Sequence, residues 1–261
     1  MDNIRIKQQQ LLFMKHWFRK NWADFPHEIW EEFKKLLFVQ ANHNIDFQNE
    51  SFANSVFDAQ LLFMWNSFPD PWPTFWQDYF HDFNDRYKLE FLVAFTNFSD
   101  GVGGKDNIIF KNIKDFMRGN KSDEAIADFI IKTMKDGEEK AFVVFLSLCS
   151  WVNCTYLLND ASVSIIKGAL ENEDYSKHAL KILARLMDRG IPFDLKFDII
   201  KELEIPSRIE FILNNTSDKT TAEAAASLIN SIGQELINST EFFEQTYGLA
   251  IACLSTPDVD V

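Results

Sequence analysis

Helix-breaking residues are scarce in this chain, with nine glycines and seven prolines in 261 residues. That scarcity excludes a collagen-like or turn-rich sheet protein and favours long helices joined by short turns. Cysteine is equally rare. Cys149, Cys154 and Cys253 make an odd count, which builds no disulfide framework and fits free thiols in a reducing compartment. Cations are in deficit, with 26 Lys and Arg against 39 Asp and Glu, a formal net charge of −13. Phosphate contacts need clustered Lys and Arg, so any binding of RNA must rest on local basic patches. The overall acidity suits a basic protein partner, or solubility alone. No apolar run approaches the roughly 20 residues of a membrane span. The opening Met1-Asp2-Asn3-Ile4-Arg5 has no apolar core of a secretion signal. The expectation is a soluble intracellular protein without membrane insertion.

Apolar residues are plentiful, at 46% of the chain with 26 phenylalanines, enough for a substantial core. Their spacing is helical throughout. Ile4, Leu11, Leu12, Met14 and Phe18 predict a helix over 4–20, and Pro26 opens a second through Trp30, Phe33 and Leu37 that ends at Asn42 to Asn44. A third runs over 50–68. Ser67-Phe68-Pro69-Asp70-Pro71-Trp72-Pro73 is a corner, because three prolines in five residues cannot continue a helix. The next helix starts near Pro73, and another passes through Leu89, Leu92 and Phe95 to a loop at Asp100 to Gly104. Further helices are expected near 106–119, 122–135, 138–150, 160–171, 174–189, 193–204, 207–214, 219–238 and 241–254. Arg189-Gly190-Ile191-Pro192 marks one junction, with Gly past a helix end and Pro at the next start. No strand series and no Gly-, Ser- or Pro-rich linker interrupts the pattern. The predicted fold is all-α, a HEAT-like superhelix of antiparallel helix pairs with a repeat of about 40 residues. Residues 1–261 then form one repeat domain with a convex outer and a concave inner layer.

Several segments resemble the exportin-T family, the tRNA exportins of the importin-β superfamily. Gln8-Gln9-Gln10-Leu11 opens a helix leading to Trp17, and Leu61-Leu62-Phe63 precedes Trp72-Pro73-Thr74-Phe75-Trp76, similar to a Trp-centred corner shared by karyopherins. Ile113-Lys114-Asp115-Phe116-Met117-Arg118 resembles an Ile-Lys-Asp-x-Met-Arg segment of exportin-T. Ser150-Trp151-Val152 with Leu158-Asn159-Asp160 is similar to Ser-Trp-Ile and Ala-Asn-Asp, and Leu228-Ile229-Asn230-Ser231-Ile232-Gly233-Gln234 resembles Leu-Val-Asn-Gly-Met-Gly-Gln. The matches fall in one order along most of the chain. Family members are several times longer and carry an additional N-terminal segment, so the chain is expected to be a fragment or shortened form. The resemblance implies a monomeric receptor that shuttles between nucleus and cytoplasm through the nuclear pore. Its implied partners are the GTPase Ran in its GTP form, tRNA and nucleoporins, with no cofactor and no catalysis of its own.

Candidate contacts follow from charge placement. Lys114 and Arg118 share a helix face and meet either phosphates or a partner's carboxylates, or else form a surface pair with Asp115. Lys15, Arg19 and Lys20 make the densest early basic cluster, either a backbone-binding patch or a solvated helix face. Trp72, Pro73, Phe75, Trp76 and Trp151 read as structural, inter-helix residues. Glu171, Glu173 and Asp174 form an acidic turn that faces either Ran or solvent. Gly101-Val102-Gly103-Gly104-Lys105 lacks the spacing, the following Ser or Thr, and the preceding strand of a phosphate loop. His16, His27, His43, His81 and His178 show no metal spacing with one another or with the cysteines.

Overall fold

The structure is a computed structural model that describes residues 2–40, 45, 47–102, 108–189, 191–237, 248, 249 and 251. Among these residues every regular element is helical and no strand occurs. The chain divides into two compact units, Met1–Ser122 and Asp123–Val261.

The first unit is built on aromatics, since 18 of the 26 phenylalanines and six of the seven tryptophans fall within it. Helix α1 (Asp2–Asn21) packs on α3 (Glu50–Ser67), which packs in turn on α5 (Asp85–Val102). Between α1 and α3 the chain makes short 3-10 turns at Trp22–Asp24 and His27–Ile29, then α2 (Trp30–Lys34). The expected second helix therefore begins later than Pro26, and its second half is a π-helix over Lys35–Gln40. The expected stop at Asn42 to Asn44 lies outside the described residues. Asn49 caps α3, accepting the Phe52 N–H at 3.1 Å. Phe63 on α3 lies near the middle of the core, stacked on Trp30 and edge-on to Phe18, Trp22 and Phe25. Two polar ties hold α1 to α3, Gln8 to Ser51 at 3.2 Å and Lys15 to Asp58. Helices α4 (Phe75–Asp82) and α6 (Ile108–Gly119) complete the unit. Helix α5 runs to Val102, past the loop expected from Asp100.

The second unit replaces rings with aliphatics. Its helices are α7 (Ser122–Lys135), α8 (Glu139–Leu148), a short α9 (Cys154–Leu157), α10 (Asp160–Leu170), α11 (Ser176–Met187), α12 (Phe193–Glu202), α13 (Ile205–Asn215) and α14 (Lys219–Ile237). Helix α11 is the hub, touching α8, α10 and α14. Leu180, Ile182, Leu183, Leu186 and Met187 on it are fully covered. Of the last expected helix, 241–254, the described residues 248, 249 and 251 are helical, and the rest lies outside the description.

Turn chemistry explains the junctions. Gly137 between α7 and α8 has φ 84°, a left-handed backbone that suits glycine. Its carbonyl accepts the Tyr175 hydroxyl at 2.6 Å, and the Tyr175 ring stacks on Phe142 with centroids 5.1 Å apart. That pins the start of α11 to the start of α8. Asn153 and Asn159 cap α9 and α10, accepting the backbone N–H groups of Thr155 and Ser162.

Candidate binding surfaces

The Trp-Pro corner is structural and closely packed. Trp72 is buried, its indole N–H donates to Asp78 Oδ2 at 2.7 Å, and Thr74 donates to the same oxygen at 3.1 Å. Lys34 from α2 lies over the Trp72 ring, 4.2 Å from its centroid, and 3.8 Å from Asp78. Phe75 and Trp76, on the first turn of α4, are fully covered by neighbouring rings, whereas Pro73 itself is exposed. Trp151 is buried in the second unit.

The charged candidates fall into two kinds. Lys15 is held by Asp58 across the α1–α3 seam, and its side chain is 21% exposed, so it is a tie more than a contact. Arg118 pairs with Asp115 at 3.1 Å, and Lys114 stands 3.7 Å from the Phe110 ring centroid. These three of α6 are thus engaged with one another's neighbourhood. Arg19 and Lys20 are exposed at the end of α1. They share that exposure with Leu12, 56% exposed, and Phe13, 70% exposed. The expectation that Leu12 belongs to the apolar side of α1 is corrected: Phe18 is buried against Phe63 of α3 and Leu11 and Met14 are half-buried, whereas Leu12 turns outward.

In the second unit the acidic turn lines a cleft of about 680 Å³ between the end of α10, the start of α11 and the end of α13. Glu171, Glu173, Asp174 and Asp218 border it, with Lys177 and the largely exposed Phe211. Glu171 is held by Arg208 at 2.7 Å. Asp218 caps α14 by accepting from the Thr221 and Thr220 hydroxyls at 2.6 and 2.7 Å. These hydrogen bonds hold its carboxyl low, at about 2. Glu139, beside the cleft, accepts from His178 at 2.9 Å, and that hydrogen bond with the imidazole charge lowers its pKa. A second, apolar groove of about 610 Å³ runs between α7 and α10, with Ile131, Met134, Phe142, Ile165 and Ala169 in its walls.

His16 and His81 are exposed, His81 beside Asp82, and His178 is tied to Glu139. His27 lies in a 3-10 turn, and His43 lies outside the described residues. Gly101 and Val102 end α5, while 103–105 are not among the described residues. Among the described residues no group of three or more His, Cys, Asp or Glu is placed to hold a metal ion. None of their helices is long and apolar enough to cross a membrane. No family model matches the chain, and no curated protein matches it.

Proposed function

We propose that this chain is a helical-repeat receptor of the exportin-T kind, binding tRNA together with Ran in its GTP form. The observation that carries the reading is the rhythm of the second unit. Helices α8, α11 and α14 pack side by side in that order, and from Glu139 to Ser176 is 37 residues, from Ser176 to Lys219 is 43. That is the period of HEAT-like repeats, about 40 residues, in which each repeat touches its neighbours. Residues 1–261 are then consecutive repeats of one solenoid.

The resembling segments fall where a repeat scaffold needs special residues. Trp72-Pro73-Thr74-Phe75-Trp76 makes the corner and the start of α4, Asn159-Asp160 starts α10, and Ile113 and Met117 are buried in α6 along with Phe110. In such an array curvature changes little per repeat, so two ligands that favour the same curvature raise each other's affinity. Ran-GTP and tRNA are those ligands. Hydrolysis on Ran removes one of them and releases the other, and nucleoporin contacts carry the complex through the pore between nucleus and cytoplasm. The chain supplies surfaces, with Lys114 and Arg118 facing RNA or Ran, and it works as a monomer without a cofactor.

A karyopherin that carries a protein cargo is the second reading. It is favoured by the net charge of −13 and by the ion pairs that already engage Lys15 and Arg118. The test is binding of labelled tRNA with Ran-GTP, with Ran-GDP, or with no Ran. Tighter binding with Ran-GTP alone supports the tRNA receptor. Ran-GTP binding without any tRNA effect supports the protein-cargo reading, and binding to neither rejects both.

A further inference from the structure

Helix α1 is the most basic helix of an acidic chain. Arg5, Lys7, Lys15, Arg19 and Lys20 lie on it, and no Asp or Glu occurs from Asn3 to Ala23, while the whole chain carries −13. Its other side carries the packing on α3, where Phe18 is buried against Phe63 and Gln8 and Lys15 are tied to Ser51 and Asp58. At 100° per residue, Arg19, Leu12, Arg5, His16, Gln9, Lys20, Phe13 and Ile6 follow one another round the opposite face, over an arc of about 140°. Ile6, Leu12 and Phe13 are 54%, 56% and 70% exposed, and Arg5, Arg19 and Lys20 are exposed too. Leu12 thus stands between Arg19 and Arg5, and Phe13 and Ile6 stand beside Lys20, on one solvent-facing side of a helix about 30 Å long.

We infer that this outward face of α1 docks an acidic amphipathic helix of a protein partner. Ile6 and Phe13, seven residues apart, stand one above the other and offer the apolar seam, with Lys20 beside it, and Leu12 adds an apolar contact further round the same face. Lys20 borders the seam and Arg5 and Arg19 border Leu12, where a partner's Glu and Asp side chains pair with them, as flanking charges do beside a coiled-coil seam. An anionic membrane fits less well. A surface-bound helix presents an unbroken apolar face to the lipid, and here Arg5, His16, Gln9 and Lys20 separate Leu12 from Phe13. RNA fits less well too, since Ile6 and Leu12 find no apolar counterpart on a phosphate backbone and only Phe13 can stack.

The inference stands apart from the receptor reading, since binding at α1 is measured without Ran or tRNA. The probe is a fluorescein-labelled synthetic helix of about 20 residues, Leu at i, i+3 and i+7 and Glu beside them, titrated with the full chain. A shuffled peptide of the same composition is the control. The amphipathic peptide is expected to bind at least about tenfold tighter than the shuffled one, and less tightly as salt rises. Phe13→Ala and the double variant Arg19→Glu, Lys20→Glu each weaken it at least about tenfold, while Phe13→Leu keeps it. Circular dichroism melts check that these exposed substitutions leave the fold intact. Equal affinity for the two peptides, or binding of neither, overturns the inference. So does binding of a 20-nucleotide RNA or of phosphatidylserine vesicles that the same variants abolish and the peptide does not displace. Sedimentation that shows self-association lost in the Phe13→Ala variant overturns it as well, by making a second copy the occupant.

Discussion

The Trp72 indole N–H donates to Asp78 Oδ2 at 2.7 Å, so the residue that turns the proline corner is fastened to the first turn of the helix it introduces. Lys34 closes the arrangement from α2, near both the ring and the carboxylate. Trp72→Ala is expected to cost about 3–5 kcal/mol, through lost burial and a cavity among Trp30, Phe38 and Phe75. Asp78→Ala, which leaves the indole N–H without its acceptor, is expected to cost about 1–3 kcal/mol. Urea titrations followed by circular dichroism compare the two. A smaller loss for Trp72→Ala than for Asp78→Ala would show that the corner rests on its polar tie and not on ring packing.

Much of this fold is legible in the sequence, because long periodic segments dominate it. The expected helices at 4–20, 50–68 and 122–135 correspond to α1, α3 and α7 within two residues at each end. The π-turn at Lys35–Gln40 is not legible, since no residue preference separates it from an α-helix. The short α9 escaped for another reason. Its signal is Asn153 capping Thr155 beside the already recognised Trp151, and four residues carry too little periodicity to register. Among the candidate contacts, Lys15 is neutralised by Asp58, 43 positions away, a pairing only the α1–α3 packing creates. Leu12 is expected on the packed side because an apolar residue in an amphipathic pattern is assigned to the core, and Phe13 is not among the expected contacts. A helical wheel that separates Leu11, Met14 and Phe18 from Ile6 and Phe13 carries the distinction.

The cap of α14 is acid-sensitive. The Thr221 and Thr220 hydroxyls hold the Asp218 carboxyl at about 2, below its ordinary 3.8. A carboxyl whose pKa is depressed by folding stabilises the fold above its unfolded value. Its contribution is lost as pH falls from about 4 towards about 2. Asp218→Ala should therefore lower the melting temperature at pH 7, with the gap to the unmodified chain narrowing as pH approaches 2. A gap that stays constant over that range would mean that the carboxylate charge contributes nothing to the cap.

Cys149 is fully covered, and burial raises its thiol pKa, with Cys154 adding to the rise and Arg189 and Arg185 opposing it. Only thiolate reacts with iodoacetamide. Site-resolved mass spectrometry at pH 8 should find Cys149 alkylated at least about a hundredfold more slowly in the folded chain than in urea. Equal rates would mean that the α8 end opens freely.

The Tyr87 hydroxyl is buried beside Gln60, close enough for that side chain to lower its pKa a little, yet without a hydrogen bond of good geometry. Burial keeps the phenol neutral far above its usual titration range. Its ring stacks on Phe83 with centroids 4.6 Å apart, and that contact survives loss of the oxygen. Tyr87→Phe is expected to change stability by less than about 1 kcal/mol, in either direction. A loss well beyond that in thermal unfolding would show that the hydroxyl has a partner in solution.

Helix α11 shows solvent a charged strip that includes Lys181 and Arg185, and it gives other sides to α8, α10 and α14. Leu180, Ile182, Leu183 and Leu186 beneath have no exposed surface. Substitution is therefore tolerated along that strip and in the loops around the helix, and resisted at the covered positions, where even one methylene more or less is felt.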